Sequence, residues 1–255
     1  MSDQKNIDRD ELVAYLNDYL EVSEIRDFCP NGLQVEGKVE IGRIVTGVSA
    51  CLELFERAAD ADAILVHHGL FWEGDPRSLT GVAYQRVASL IRRGMNLLAY
   101  HLPLDRHYEV GNNAVAASAL GLAEVKPFGE IDGLTIGAKG KLPDPIGVDE
   151  ILIRCRAIFE QEPLVFAHGP SEIHSVGIVS GAASRSFHQA IDQGLDMFIT
   201  GEPSEWVMNV AKEAGCHFVA AGHYATERIG VKALGAHIEQ KFGIAVDFVD
   251  IPNPV

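Results

Sequence analysis

The sequence predicts an α/β fold of two related domains with mainly parallel sheets. Apolar, strand-like runs alternate with helix-like segments over most of the 255 residues, an order that is typical of parallel sheets covered by helices. The same order of segments occurs twice along the chain, which indicates two related halves. Hydrophobic residues make up 47% of the chain and charged residues 22%, so cores of globular size can be buried.

The first half begins with a helix-like segment at residues 7–20, in which Asp8 lies three residues before Glu11 as in a capping box. Asn31-Gly32 follows as a strong turn signal. From there strand and helix alternate in the order "RIVTGVSA" (strand), "CLELFERAAD" (helix), "AILVHHG" (strand), "VAYQRVASLIRRG" (helix), "MNLLAYH" (strand) and "NNAVAASALGL" (helix).

The second half repeats this order and ends on one further strand. Its segments are "HSVGIVSGAA" (strand), "RSFHQAIDQG" (helix), "LDMFITGE" (strand), "SEWVMNVAKEAG" (helix), "CHFVAAGH" (strand), "TERIGVKALGAHIEQKFG" (helix) and "IAVDFVDI" (strand). Any two strand–helix units look somewhat alike, but a shared order together with a shared polar motif favours duplication. We therefore predict two domains, at about residues 1–125 and 126–255.

The shared polar motif is a histidine at a strand end followed four residues later by a carboxylate. His101 precedes Asp105 in the first half, and His223 precedes Glu227 in the second. A further strand ends in two adjacent histidines. Because functional groups of parallel sheets gather at the carboxyl ends of strands, these side chains would meet in one cleft if the halves face each other. The full set is His67, His68, His101, Asp105, His223 and Glu227.

Imidazoles and carboxylates without thiolates are ligands for zinc, iron, manganese, cobalt or nickel. A single histidine is more often a hydrogen-bonded structural group, but the repeated spacing favours a metal site. Five or six donors exceed the number that one catalytic zinc uses, and they suit two ions about 3.5–4 Å apart. Glu227, expected in the first turn of the last long helix, is the best candidate to bridge them.

Four sequence motifs resemble a known family. "ILVHHG", "NLLAYHLPLD", "AAGHYATERIGVKAL" and the terminal "VDFVDIPNPV" are similar to the NGG-one-interacting-factor-three-like family, whose members are often called GTP cyclohydrolase I type-two homologues, and above all to its bacterial YbgI type. The similarity covers nearly the whole chain. It implies a dinuclear metal centre in the cleft between two interlinked α/β domains and a hexameric ring.

The resemblance also implies roles for individual residues. The family's metal ligands fall on His67, His68, Asp105, His223 and Glu227. His101 matches a position near the metals and is interpreted either as a residue that supports the ligands without binding the metal or as a proton carrier. One segment departs from the family pattern: many relatives carry a further pair of histidines after the "T-G-D/E" element, and this chain has "TGEPSEWV", so residues 202–208 are not expected to add ligands.

The remaining aromatic and histidine residues receive structural interpretations. Phe71 and Trp72 are expected to be buried under a loop more than to line a substrate pocket. Gly111-Asn112-Asn113 is expected to form a turn that caps the next helix, with a role for Asn113 in the cleft as the alternative. Six histidines have no motif support and are interpreted as ordinary surface or core residues: His107, His168, His174, His188, His217 and His237.

Composition limits the partners and the compartment. Acidic residues outnumber basic ones by 36 to 21, which gives a formal net charge of −15, and such a surface disfavours nucleic acid. The four cysteines form no C-x-x-C pair, as expected for a reducing cytoplasm. The polar amino-terminal segment and the lack of a long apolar run predict neither a signal peptide nor a membrane span.

Two functions remain open at this stage. A metal-dependent hydrolase acting on a nucleotide or a related small molecule is favoured, since paired ions acidify water, although the sequence contains no P-loop and no G-x-G-x-x-G after a strand. The alternative is a non-catalytic protein that stores or delivers metal ions. The same ligands serve both hypotheses, and the sequence identifies neither the native metal nor a substrate.

Overall fold

The computed structural model describes residues 5–255. Residues 1–4, the beginning of the polar amino-terminal segment, lie outside this range. The strands are β1 (Ile7–Asp8), β2 (Gly32–Val35), β3 (Glu40–Ile41), β4 (Arg43–Ser49), β5 (Ala63–His68), β6 (Asn96–Ala99), β7 (Ala123–Ile131), β8 (Leu134–Ile146), β9 (Leu164–Phe166), β10 (Ile173–Val179), β11 (Met197–Thr200), β12 (His217–Ala220) and β13 (Ala245–Phe248). The α-helices are α1 (Arg9–Tyr19), α2 (Leu52–Arg57), α3 (Gly81–Arg93), α4 (Leu102–Arg106), α5 (Asn112–Ala119), α6 (Val148–Phe159), α7 (Phe187–Asp192), α8 (Val207–Ala214) and α9 (His223–Phe242).

These elements form a mixed α/β fold with three sheets in the described part of the chain. The chain forms two compact units, each discontinuous in sequence. Unit 1 comprises residues 1–104 and 231–251, and unit 2 comprises residues 105–230 and 252–255. The predicted domains, 1–125 and 126–255, follow the repeated order of segments along the sequence, whereas the two units are defined by spatial compactness. The predicted domains therefore stay a prediction.

Unit 1 is built on a five-stranded sheet in the order β13-β4-β5-β6-β2. Its first four strands are parallel, as predicted, and only β2 runs antiparallel to its neighbour. The last predicted strand of the second half, β13, therefore belongs to the sheet of the first half, where Ala245 pairs with Arg43. A core of fully buried aliphatic and aromatic residues lies on this sheet, including Leu54, Phe55 and Leu97.

Unit 2 is built on a six-stranded sheet in the order β7-β8-β10-β11-β12-β9. Only β10, β11 and β12 are parallel to one another, and the other three pairings are antiparallel. The prediction of mainly parallel sheets is wrong for this unit. Two segments that were not predicted as strands account for the difference. One is the antiparallel hairpin β7–β8, whose second strand pairs with β10, and the other is β9, which pairs with β12. The core of unit 2 includes Ile151, Phe159 and Ile199, all fully buried.

The predicted start of α1 is confirmed. The Asp8 side chain accepts hydrogen bonds from the backbone N–H groups of Asp10 and Glu11, at 2.9 and 3.1 Å, which satisfies two donors that a helix start leaves unpaired. Among the helices of residues 5–255, none is long and apolar enough to span a membrane.

Candidate metal centre

Three predicted histidines come together at one edge of the unit 1 sheet. His67 and His68 are the last residues of β5, and His101 lies just beyond the end of the adjacent parallel strand β6. Parallel pairing brings these strand ends side by side. Each residue offers a ring nitrogen, and these atoms lie within 4.8 Å of one another. The grouping predicted from the strand ends is thus present within this unit.

His67 is fixed in the tautomer that a metal ligand needs. Its ring is fully buried, and its Nδ1 lies 3.0 Å from the carbonyl oxygen of Tyr100. Since a carbonyl oxygen can only accept, Nδ1 carries the hydrogen in the neutral ring and Nε2 carries the lone pair. A backbone carbonyl that holds the second nitrogen is the usual arrangement around metal-binding histidines. His68 has a similar contact from Nδ1 to the Ser49 hydroxyl, at 3.1 Å.

His101 is held by a carboxylate that the sequence reasoning missed. Its Nδ1 donates to Asp27 Oδ1 at 2.8 Å, and the Asp27 side chain is only 2% exposed. Asp27 also accepts from the Asn31 side chain and from the backbone N–H of Leu102, both at 2.9 Å. Burial raises the pKa of Asp27, but the contacts with His101 and these hydrogen bonds outweigh it, so the pKa lies below its usual value. His101 therefore faces a charged carboxylate.

Cys29 lies beside this pair and could complete a second group of ligand atoms with Asp27 and His101, again within 4.8 Å. Burial raises the pKa of the Cys29 thiol to about 12, and the charge of Asp27 adds to the effect. The thiol is therefore protonated at neutral pH, whereas metals bind the thiolate. The ring nitrogens of His67 and His68, which bind metal as neutral imidazoles, are therefore the better candidates for metal ligands.

In unit 2, the second predicted pair lies on one face of a helix. The sequence placed the start of α9 near Thr226, but the helix begins at His223, so Glu227 lies one turn into it and not in its first turn. Residues four apart on a helix share a face. His223 Nε2 and Glu227 Oε1 are accordingly 3.1 Å apart, which is the spacing of two ligands on one ion.

His223 lies between two carboxylates. Its Nδ1 donates to Glu202 Oε1 at 2.5 Å, while its Nε2 faces Glu227. Burial lowers the pKa of His223, but the hydrogen bonds and charges of Glu227 and Glu202 outweigh it and raise the pKa to about 9. Glu202 belongs to the segment that was not expected to add ligands. It contacts His223 instead, at the position from which a carboxylate fixes a ligating ring.

Asp105 is oriented by a network of neutral donors. Its Oδ1 accepts from the Asn112 side chain at 2.8 Å and from the Ser180 hydroxyl at 2.9 Å. Asn113 donates to the backbone carbonyl of Asp105 and to the Ser180 hydroxyl, at 3.2 Å each. The predicted cap at Gly111-Asn112-Asn113 is present, since Gly111 is the N-cap of α5. The side chains of Asn112 and Asn113 form no cap hydrogen bond. They hold Asp105 without neutralising its charge.

Gly181 provides the room for the acidic pair. Carboxylate oxygens of Asp105 and Glu227 lie within 4.8 Å of each other. At Gly181, which has a φ of +66°, a Cβ atom would collide with Glu227 Oε1 and would lie 3.3 Å from His223 Nε2. A side chain at this turn would therefore displace both residues. Glycine is required here by space as well as by backbone conformation.

These two clusters fit divalent metal ions. Each offers imidazole nitrogen or carboxylate oxygen, the donors that zinc, manganese, iron, cobalt and nickel accept. In unit 1 the rings of His67 and His101 are held through Nδ1, so Nε2 is the ring nitrogen left to face a metal ion or a substrate. In unit 2, two buried carboxylates lie close together, an arrangement that a cation stabilises. Two of the other histidines are structural, as predicted: His107 accepts from two backbone N–H groups, and His217 bridges Gly169 and Pro170.

The family model of Duf34/NIF3 (NGG1p interacting factor 3) matches residues 7–254. The chain belongs to this family. Its relatives include the GTP cyclohydrolase 1 type 2 homolog of Deinococcus radiodurans, which is 43% identical over 249 residues that cover 97% of this chain and 94% of the relative.

Solved structures of similar proteins agree with the fold. The protein ybgI, described as a protein of unknown function, has 39% identity and a TM-score of 0.92, and the match covers 98% of this chain and all of that one. A protein from Thermus thermophilus has 38% identity and a TM-score of 0.89 at the same coverage. The resemblance found in the sequence, including the YbgI type, is thus confirmed.

Proposed function

We propose that this Duf34/NIF3 protein is a metal-dependent hydrolase with two divalent ions per chain, acting on a nucleotide or a related small molecule. The proposed ligands are His67 and His68 from unit 1 and Asp105, His223 and Glu227 from unit 2. The observation that carries the proposal is the cluster of histidines at the ends of β5 and β6, with the His67 ring fixed by a backbone carbonyl.

The chain's own residues prepare the ligands. Tyr100 and Ser49 hold the two histidines of β5, Asn112 and Ser180 hold Asp105, and Glu202 holds His223. These contacts orient four of the proposed ligands, which is the arrangement that raises metal affinity. When bound, a pair of divalent ions would acidify water and polarise a substrate oxygen.

His101 is proposed as the group that moves a proton. Its Nδ1 hydrogen is held by Asp27, so its Nε2 is the atom that can exchange a proton with a substrate. The ring lies beside His67, with 4.9 Å between the ring centroids. The Ser49 hydroxyl holds the ring of a proposed metal ligand and the Cys29 thiol is protonated at neutral pH, so water is the favoured attacking group.

A nucleotide substrate is supported by the names of the relatives alone. The relative from Deinococcus radiodurans is named a GTP cyclohydrolase 1 type 2 homolog, and ring hydrolysis of GTP is the reaction that this name suggests. We therefore place GTP first in a screen that also contains other nucleotides, phosphoesters and cyclic amides.

The test separates proton transfer from metal binding. We expect His101→Ala to lower turnover by about 10²–10⁴-fold, the usual contribution of a general acid–base group, while metal content stays near that of the wild type. Asp105→Ala should lower metal content and turnover together. His174→Ala, which removes an exposed histidine of unit 2, is the control and should change neither quantity.

Two results would overturn the hydrolase. Full turnover by metal-replete His101→Ala would remove the proposed role of His101. Turnover no higher than that of free ions across the whole screen would support the alternative, a protein that stores or delivers metal.

A homo-hexamer is proposed from the family resemblance alone. Light scattering at micromolar concentration should give a mass of about six chains of 27.7 kDa. A stable monomer would contradict it.

A further inference from the structure

We infer that an open groove in unit 1, beside the histidine cluster, binds a planar nitrogen heterocycle such as a nucleobase. The groove has a volume of about 450 Å³, within the range of small-molecule sites. Its lining consists of Arg26, Asp27, Phe28, Cys29, Pro30, Phe71, Trp72 and Glu73. The inference rests on the proposed function for the class of ligand, but its test needs no metal.

Three aromatic side chains make the groove suitable for a flat ring. Phe28 is 48% exposed, and Phe71 and Trp72 are half-buried, although both were expected to lie buried under a loop. Two separate loops supply these residues, and the backbone N–H of Glu73 donates to the carbonyl of Phe28 at 2.7 Å. This hydrogen bond joins the two loops that carry the aromatic residues. Stacking on such side chains suits any nucleobase, since every base has a flat π face.

Exposed charged residues line the groove together with these aromatic side chains. Arg26 and Glu73 are both exposed, and Arg26 forms no ion pair within residues 5–255. Its guanidinium can therefore bind an anionic substituent of the ligand. The Glu73 carboxylate can accept hydrogen bonds from ring N–H or amino groups, as carboxylates do with bases. Both contacts match a heterocycle that carries an amino group and a negative substituent.

The groove is continuous with the histidine cluster. Asp27 lines it and binds His101, and the Trp72 ring lies edge-on to the His101 ring with 5.0 Å between centroids. Trp72 also contacts His68 at 5.8 Å. A heterocycle stacked on Trp72 would thus lie next to the residue proposed to move a proton. This position gives the groove a role in substrate binding rather than in subunit contact.

Trp72 provides a direct fluorescence signal for the test. The chain has two tryptophans, and Trp206 lies in unit 2, stacked on His188. The Trp206→Phe protein, freed of metal with EDTA, is titrated with guanosine, with ribose as the control ligand. We expect saturable quenching by guanosine and none by ribose. The Trp72→Phe protein should lose the guanosine-dependent signal.

A second pair of variants tests the stacking itself. Phe28→Ala should weaken guanosine binding about 5- to 150-fold, the usual range for removal of one stacking side chain. Tyr84→Ala removes an aromatic residue that is 51% exposed on α3 and outside the groove, and it should leave binding unchanged. Circular dichroism confirms that each variant is folded.

The absence of saturable quenching in the folded Trp206→Phe protein would overturn the inference, as would equal effects of the two alanine variants. If Phe28→Ala instead changes the oligomeric state, a second copy covers the groove and the inference is wrong. Because the titration uses metal-free protein, its failure is distinct from a failure to bind metal. A metal-replete chain without guanosine binding would refute the groove and leave the metal centre intact.

Discussion

Deprotonation of His223 is expected to destabilise the metal-free protein. The charges of Glu227 and Glu202 hold the pKa of this ring at about 9 in the folded chain, against an ordinary value of about 6.5. A group whose pKa is raised by folding contributes its full stabilisation below its unfolded pKa and loses it as the pH rises through the folded value. The contribution of His223 is therefore present near pH 6 and lost above about pH 9.

The size of the effect follows from the shift. About 2.5 pKa units correspond to about 3 kcal/mol of unfolding free energy, and we expect about 2–3 kcal/mol because Glu202 is 35% exposed and solvent screens its share. Urea denaturation of EDTA-treated protein at about pH 6 and about pH 10 measures the change. Other groups titrate in this range, so the same measurement on His223→Gln gives the background. Equal losses of stability in the wild type and the variant would refute the reasoning.

Three further predictions follow from the same clusters. The affinity for Mn²⁺ should rise by about tenfold per pH unit between about pH 7 and pH 9, because binding must displace the His223 proton. Competition with a chelator measures this affinity, and an affinity that does not change with pH would contradict the assignment of His223 as a ligand. Gly181→Ala should weaken metal affinity by about 10–100-fold through displacement of Glu227, whereas Gly194→Ala, at the same φ of +66° with open space around it, should not. Asp27→Asn should lower the unfolding free energy by about 1–3 kcal/mol, because a neutral amide replaces a buried carboxylate that accepts hydrogen bonds from a histidine and two other donors. Urea denaturation measures the change, and a loss near zero would show that these hydrogen bonds do not stabilise the fold.

The parts of the fold that were predictable are those with local signals. The strand that ends in His67 and His68 is a short apolar run, and the spacing of Asp8 and Glu11 predicts the N-cap of α1. The hairpin β7–β8 also has a signal, since Asp132-Gly133 joins its strands with positive φ at both residues. It was missed because β7 is an exposed edge strand without apolar alternation, and because two of the inward positions of β8 are the small residues Ala138 and Gly140.

The site residues that follow strand ends were predictable. The residues that orient them from distant segments of the chain were not. The three histidines at the ends of β5 and β6 come together as the spacing predicts. Asp27 reaches His101 from 74 residues away, and Ser180 reaches Asp105 from 75, so no local pattern could assign them. Glu202 did carry a usable signal, since it follows the end of β11 as the other site residues follow theirs.

The number of metal ions per chain tests the central claim most directly. The protein is saturated with Mn²⁺ or Zn²⁺, freed of excess ion by gel filtration and measured by elemental analysis against the protein concentration. The account predicts two ions per chain in the wild type and a loss of both in Glu227→Ala, the variant that lacks the proposed shared ligand. At most one ion per chain under saturating metal would contradict the dinuclear centre.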